Sequence, residues 1–252
     1  MSKLTYLDIE TTPNEGYFWR CGYKISIQPN NISRERAMIC AAWAHDDGKI
    51  EVADDLILWD NGVIDDSLIV KKLAEAVEDS TILVHHNGDK FDIPWINARL
   101  RYHGYDTIGP KRSIDTYKVV KSKYNMNSFR LDYVAKYFGV GRKIKSDYQW
   151  WVDIMEDNEN CDASFAKMVK YNKMDVEVLR DVFKKIEPDI TYNWYNIIED
   201  INDPCVGCGH EGPHQHRGVV PNQTTGYERY TCKSCGKWMR GPNKKEHRRR
   251  VL

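Results

Sequence analysis

The sequence predicts an α/β fold, a mixed sheet flanked by helices, followed by a small C-terminal metal-binding module. Three observations carry that reading. Short apolar stretches with strand character alternate with segments of helical periodicity up to about residue 186. Two Cys-x-x-Cys pairs, Cys205/Cys208 and Cys232/Cys235, fall together near the end of the chain. The 252 residues suffice for one ample core plus a small appendage.

In chain order, residues 3–9 read as the first strand, with Leu4 to Leu7 apolar enough for burial. Ala37 to Ala44 and Ile50 to Trp59 follow as second and third strands. Asp65 to Glu78 reads as a helix whose acidic start suits its positive end. Thr81 to Val84 is a short buried strand that runs into His85-His86-Asn87-Gly88, and Phe91 to His103 is the next helix, with Asp92 in its first turn. Ser113 to Asp115 is a last short strand, then come helices near Tyr117 to Lys123 and Ser128 to Phe138. The span Ala163 to Ile186 carries helical periodicity through Phe165, Met168 and Val169, then Val176, Leu179 and Phe183. The domain boundaries read 1–190 for the α/β domain, 191–204 for a linker or packing segment, 205–240 for the metal module and 241–252 for a basic tail.

Composition excludes several classes. Mean hydropathy is negative and no long apolar run exists, which argues against a membrane span. Asp8 interrupts the first apolar stretch before it could serve a secretory signal, so a cytoplasmic protein is expected. Of seven cysteines, four form the two pairs and Cys21, Cys40 and Cys161 stand singly, a pattern of metal binding plus free thiols. The formal net charge of zero hides an asymmetry: 205–252 holds ten Lys or Arg against three Asp or Glu, and the remainder is correspondingly acidic. Lys244, Lys245, Arg248, Arg249 and Arg250 suit phosphate contacts; a solvated terminus is the other reading.

Three acidic stretches then fit one site. On a strand, Asp8 and Glu10 share a face while Ile9 points the other way. On the long helix, Tyr171 and Asp175 are neighbours at i and i+4, placing a phenol beside a carboxylate. Between them in sequence lies Asn87-Gly88-Asp89-Lys90-Phe91-Asp92. An Asp-x-Glu or a Tyr/Asp helical pair alone is commonly a solvated edge or surface pair; their order and structural context together single them out.

Over residues 1–190 this pattern resembles the DEDD superfamily of 3′→5′ exonucleases, tyrosine subgroup, as in the proofreading domain of family B DNA polymerases. Asp8 and Glu10 match its Asp-x-Glu, Asn87, Phe91 and Asp92 its Asn-x-x-x-Phe-Asp, and Tyr171 and Asp175 its Tyr-x-x-x-Asp. The resemblance implies a ribonuclease-H-like core and a catalytic set of Asp8, Glu10, Asp92, Tyr171 and Asp175. It implies two Mg²⁺ or Mn²⁺ held by the four carboxylates, with Asp8 shared between them and Tyr171 orienting the attacking water. Carboxylate oxygens are the ligands such hard cations prefer. Asn87 either orients the 3′-terminal nucleotide or braces the site, and Phe91 either stacks on a base or packs locally. Asp115 reads as a helix N-cap and His85 and His86 as structural. Tyr148-Gln149-Trp150-Trp151 is either a stacking platform or a cover for the core.

Cys205, Cys208, Cys232 and Cys235, each pair followed by Gly, supply four thiolates for one structural Zn²⁺ in a zinc ribbon. His210, His214 and His216 are possible substitutes that four cysteines make unnecessary. Arg217 to Val220 and Tyr227 to Thr231 read as its two strands. The functional expectation is a 3′→5′ exonuclease acting on single-stranded DNA by a two-metal mechanism, with the ribbon gripping nucleic acid or a replication or repair protein. The alternatives are an exoribonuclease and a non-catalytic nucleic-acid-binding or polymerase-binding adaptor.

Overall fold

The computed structural model describes residues 4–20, 27–55, 57–58, 64–109, 111–141, 146–190, 198–206, 208–221 and 226–244. The chain divides into two units, residues 1–189 and 190–252.

The first unit is built on a five-stranded mixed sheet. Its strands are β1 (Leu4–Thr11), β4 (Met38–His45), β5 (Ile50–Ala53), β8 (Ile82–His85) and β9 (Arg112–Asp115), in the order β5-β4-β1-β8-β9. β4 runs antiparallel to β1 and β5, whereas β8 is parallel to β1 and β9. Two small ribbons stand apart, β2 (Glu15–Gly16) with β3 (Ile32–Arg34), and β6 (Ile57–Leu58) with β7 (Ile64–Asp65). The helices are α1 (Ser67–Ala76), α2 (Asp92–Tyr102), α3 (Thr116–Lys123), α4 (Leu131–Phe138), α5 (Gln149–Glu156) and α6 (Cys161–Ile186).

Each face of the sheet has its own apolar layer. Leu7, Ile9, Met38 and Ala41 pack with Ile69, Leu73, Ile96 and Leu100 of α1 and α2. Ile39 and Cys40 turn to the opposite face and pack with Ile154 of α5 and Met168 and Tyr171 of α6. Strand alternation divides β1 in this way; on β4 the register shift opposite Glu10 and Thr11 lets the adjacent Ile39 and Cys40 join one layer. Trp150 and Trp151 are half-buried against the second layer, and Trp151 Nε1 donates to the Thr11 carbonyl at 3.0 Å. The Trp pair thus covers the core, while Tyr148 is exposed.

Two expectations are corrected. The strand read over Ile50 to Trp59 ends at Ala53, and Ile57–Leu58 pairs separately with Ile64–Asp65. The adjacent Asp54 and Asp55 have low strand propensity and interrupt it; Trp59 lies outside the described residues. The helix read from Asp65 begins at Ser67 and has no acidic residue in its first turn. Asp65 Oδ1 instead accepts the Ser67 N–H at 2.9 Å. The fully buried Asp66 accepts the Met38 N–H at 2.8 Å and pairs with Arg99 at 2.6 Å and His103 at 2.5 Å. A buried carboxylate needs such partners, so Asp66 clamps α2 to β4 rather than capping α1.

In the second unit, β10 (Gln215–Pro221), β11 (Gly226–Thr231) and β12 (Trp238–Lys244) form an antiparallel sheet with β11 central. The expected two strands are present, joined by a third. The core here is small: Ile198, Cys205, Tyr230, Cys232 and Met239, with Ile201 against them. Tyr192 and Trp194 of the linker, and Lys245, Arg248, Arg249 and Arg250 of the tail, lie outside the described residues. Lys244 closes β12.

Candidate functional site

β1 is flanked by neighbours on both edges, so its alternation is fixed by the register on either side. Asp8 lies opposite Ala42 and Glu10 opposite Cys40, and a bulge follows between Glu10 and Thr11. Bulges of this kind re-aim side chains at the end of a strand. Helix α6 crosses the face that Asp8 and Glu10 present and brings Asp175, 5% exposed, to meet them. One ligand oxygen from each of Asp8, Glu10 and Asp175 lies within 4.8 Å of the others. The buried Cys40 thiol is pushed well up, by burial first and then by the negative charge of Glu10 and Asp8. Three carboxylates this close repel one another unless a cation lies between them, so the donor set fits a hard divalent metal.

Asp92 is placed differently. It opens α2, is 5% exposed, and its carboxylate accepts the N–H of Ile9, the residue between Asp8 and Glu10. Burial raises its carboxyl to about 6. It is therefore anchored to β1 beside the three-carboxylate group rather than inside it. Tyr171, one turn before Asp175 on α6, is buried with its ring edge-on to Trp150, centroids 6.4 Å apart.

Asn172 was a bystander in the sequence pattern and is a site residue in the structure. It is fully buried, and its Nδ2 donates to Asp8 Oδ2 at 2.7 Å. Its Oδ1 is buried with no hydrogen-bond partner among the described residues. The signal was its position: Asn at i+1 of a Tyr-x-x-x-Asp helix lies a little over a quarter-turn round from the phenol and on the inward side.

The loop between β8 and α2 is held by side chains near it. Asn87 has φ +69°, and its N–H donates to Asp115 Oδ1 at 2.8 Å. Asp115 also caps α3, accepting from the N–H of Tyr117 at 3.1 Å and of Lys118 at 3.4 Å, as expected of an N-cap. His85, fully buried, accepts the Gly88 N–H on Nδ1 at 3.1 Å, which leaves Nε2 to carry the proton shared with Ser113 Oγ at 2.7 Å. A Cβ on Gly88 would stand 2.5 Å from the His85 ring and 2.9 Å from Asp92 Oδ2, so only glycine lets Asp92 approach. Asp89 bonds Ser113 Oγ and, at 2.5 Å, Lys118 Nζ; with His85 these contacts hold its carboxyl well below the usual range. His86 bridges Thr116 Oγ1 and the Phe129 carbonyl, both at 2.8 Å. Both histidines brace the loop.

Beyond Glu10 the end of β1 borders a cavity of about 390 Å³ lined by Thr12, Arg34, Arg36, Arg99 and Tyr102 among others. Arg34 pairs with Glu15, and Arg99 with Asp66. Arg36 has no carboxylate partner among the described residues; its guanidinium lies 4.7 Å from the Trp95 ring centroid and 5.9 Å from that of Phe91. Phe91 is half-buried and packs on the α1/α2 layer.

In the second unit the four cysteine sulfurs lie within 4.8 Å of one another. Cys205 and Cys235 sulfurs are 3.7 Å apart, as are those of Cys208 and Cys232. A tetrahedral zinc with Zn–S near 2.3 Å places its sulfurs roughly 3.8 Å apart, so the set fits that ion. The two knuckles repeat one backbone pattern. Gly209 (φ +70°) donates to the Cys205 carbonyl at 2.8 Å and Gly236 (φ +72°) to the Cys232 carbonyl at 3.0 Å. Backbone N–H groups of Cys235 and Ser234 lower the Cys232 thiol. His210, His214 and His216 are not in this group; His214 Nε2 bonds the Asp203 carbonyl at 2.7 Å.

Among the described residues no helix is long and apolar enough to cross a membrane. The family model RNase_H_2, of the RNase_H superfamily, matches residues 5–187. Among solved structures, the family B DNA polymerase from the hyperthermophilic archaeon Pyrobaculum calidifontis is similar with a TM-score of 0.56 at 19% identity, over 75% of this chain and 25% of that one. The chain thus spans about a quarter of that polymerase, and at such identity the likeness shows the fold. A match across the whole sheet-and-helix unit, from β1 to the end of α6, makes this chain a member of the RNase_H superfamily.

Proposed function

We propose that the protein is a metal-dependent 3′→5′ exonuclease that removes nucleotides from single-stranded DNA. Superfamily membership supports a nuclease-type function. The observation that carries the finer reading is the convergence of Asp8, Glu10 and Asp175, with Asp92 anchored on the Ile9 N–H at their side.

Asp8, Glu10 and Asp175 would hold divalent Mg²⁺ or Mn²⁺, with Asp92 reaching the same ions from α2. Such ions, when bound, polarise the phosphodiester and lower the pKa of a water nucleophile. The protein's own residues do the rest. Asn172 braces Asp8 by donating to its Oδ2. Tyr171 orients the attacking water by a hydrogen bond, a phenol being a poor base but a good hydrogen-bond partner. Arg36, over Trp95 and Phe91 in the cavity beyond the end of β1 and with no carboxylate partner among the described residues, suits a substrate phosphate there. Asn87 and Phe91, beside Asp92 on the same loop, would contact the terminal nucleotide. Cys205, Cys208, Cys232 and Cys235 would hold one structural Zn²⁺, all four positions being filled by protein.

The test is a denaturing-gel time course on 5′-labelled single-stranded DNA and RNA of one sequence, with Mg²⁺, Mn²⁺ or chelator. The expected result is a metal-dependent ladder shortening from the 3′ end, with Asp8→Ala and Asp175→Ala each slowing it by at least about 10³-fold. Preferential shortening of the RNA would reassign the substrate. Full activity in Asp8→Ala would sink the assignment, and binding without cleavage would favour an adaptor.

A further inference from the structure

One face of the ribbon sheet has a composition that neither the four thiolates nor the small core explains. Strand alternation puts Tyr227, Arg229 and Thr231 of β11 on one side. The pairing of Arg229 with Arg240 and of Thr231 with Trp238 brings both β12 residues to that side. Gln215 pairs with Thr231 on the other edge, and Arg217, two residues on, donates from Nε to Thr231 Oγ1 at 2.9 Å. The opposite side carries Tyr230 and Met239, 4% and 2% exposed, which pack with Cys205 and Cys232. One side therefore makes the core; on the other, Thr231 is buried, Tyr227 and Arg240 are half-buried, and Arg217, Arg229 and Trp238 are exposed.

On that second side each aromatic ring is stacked by an arginine. The Arg240 guanidinium lies 3.7 Å from the Tyr227 ring centroid, and that of Arg229 4.9 Å from Trp238, whose side chain is 51% exposed. The three strands contain Arg217, Arg229, Arg240 and Lys244 against a single acid, Glu228. Glu228 alternates to the core side, where it accepts from the Tyr230 hydroxyl. Arg217 and Arg229 make no ion pair among the described residues. The exposed indole's contact with the Arg229 guanidinium contributes only about 0.5–1 kcal/mol to folding. It offers a π-face and a cation at once, the combination that unpaired bases and their phosphates recognise.

The geometry points to this face as a binding platform for a single-stranded polynucleotide, with bases stacking on Trp238 and Tyr227 and phosphates meeting Arg217, Arg229 and Arg240. The assignment rests on the reading of the substrate as a single strand. Duplex is disfavoured because its bases are already stacked on one another. An acidic protein would meet the arginines but has no use for the exposed indole.

The test is fluorescence anisotropy with full-length Asp8→Ala protein, which keeps the probe intact, titrated into 5′-fluorescein oligo(dT), oligo(U) and a duplex of equal length across a range of salt. Trp238→Ala is expected to weaken single-strand binding about tenfold without changing the salt slope, and Trp238→Phe to restore it. Arg217→Ala and Arg229→Ala are each expected to flatten the slope of log K against log salt by about 0.7. Zinc content of every variant checks that the ribbon is folded. Where an alanine variant loses zinc, Trp238→Phe compared with Trp238→Leu, and Arg229→Lys with Arg229→Gln, carry the same comparison. Binding indifferent to these changes, equal affinity for duplex, or a salt slope that falls with the arginines while Trp238→Ala has no effect, the mark of an acidic partner, each overturns the platform. Wild-type cleavage of the same oligonucleotide is scored separately. Binding through the face without cleavage keeps the platform and removes the nuclease; cleavage with binding that ignores the face does the reverse.

Discussion

Asp8 and Asp175 meet on one face of a five-stranded sheet, from elements far apart in the chain, whereas Cys205 and Cys208 come together within a few residues. The first site depends on a large apolar frame: two layers of buried side chains fix β1 against α6, and the carboxylates ride on elements that would be in place without any ion. Among the described residues of the second unit the buried cluster has five members, two of them cysteines. A cluster of that size cannot offset the chain entropy of ordering the ribbon. On the proposed reading, the fold makes the metal site in one unit, and in the other the metal site would make the fold.

The largest effect that would break this contrast is on the ribbon. Cys232→Ser, or zinc removal by a strong chelator, is expected to unfold residues 198–244, because structural zinc supplies apparent binding energy of about 10–16 kcal/mol. Zinc analysis with limited proteolysis should show the metal lost and the ribbon digested while 1–189 survives with its melting temperature little changed. A protected ribbon without zinc would refute the contrast from one side, and collapse of 1–189 on chelation from the other.

Next in size, Tyr171→Phe removes only the hydroxyl from a ring packed on Trp150, so the fold should be retained. Cleavage should fall on the order of 10- to 100-fold, well short of the loss from removing a carboxylate. Single-turnover rates at saturating metal check it, and a loss equal to that of Asp8→Ala would assign the phenol a larger part.

Smaller still, Asn172→Ala frees Asp8 from its 2.7 Å hydrogen bond. The concentration of Mn²⁺ giving half-maximal cleavage should rise about tenfold, with the rate at saturating Mn²⁺ largely recovered. A drop in rate at unchanged Mn²⁺ dependence would show that Asn172 acts elsewhere.

The smallest effect concerns the loop that positions Asp92. Asp89 is held below its ordinary range by His85, Lys118 and Ser113, so its charge stabilises the fold above the unfolded carboxylate pKa near 4, and that contribution fades as pH falls toward the lowered folded value. Asp89→Asn should cost about 1 kcal/mol at pH 7, an amount discounted for its partly solvated setting. The gap between the two proteins should narrow by pH 3 in thermal or denaturant melts. A gap that widens in acid would contradict the sign.

Much of both sites was legible because it is encoded at short range. Asp8 and Glu10 share a face by strand alternation, Tyr171 and Asp175 are neighbours by helical repeat, and the knuckles with Gly209 and Gly236 are complete within a few residues each. Strand ends were less legible: the acidic pair after Ala53 split what hydrophobicity alone joined. Asp66 looked like a helix-start acid, and only its burial between Met38, Arg99 and His103 shows it as a clamp.

The sequence by itself determined the α/β order, the identity of the acidic residues and the four-cysteine set, because propensity, periodicity and ligand chemistry act over a few residues. Tertiary structure alone decided that Asp8, Glu10 and Asp175 form the close group while Asp92 hangs on the Ile9 N–H, that Asn172 steadies Asp8, that Arg36 lies over Trp95 and Phe91, and that arginines of the second unit stack on its aromatic rings. Those facts depend on sheet order, register and helix crossing, which arise from packing between segments distant in the chain and leave no local mark in it.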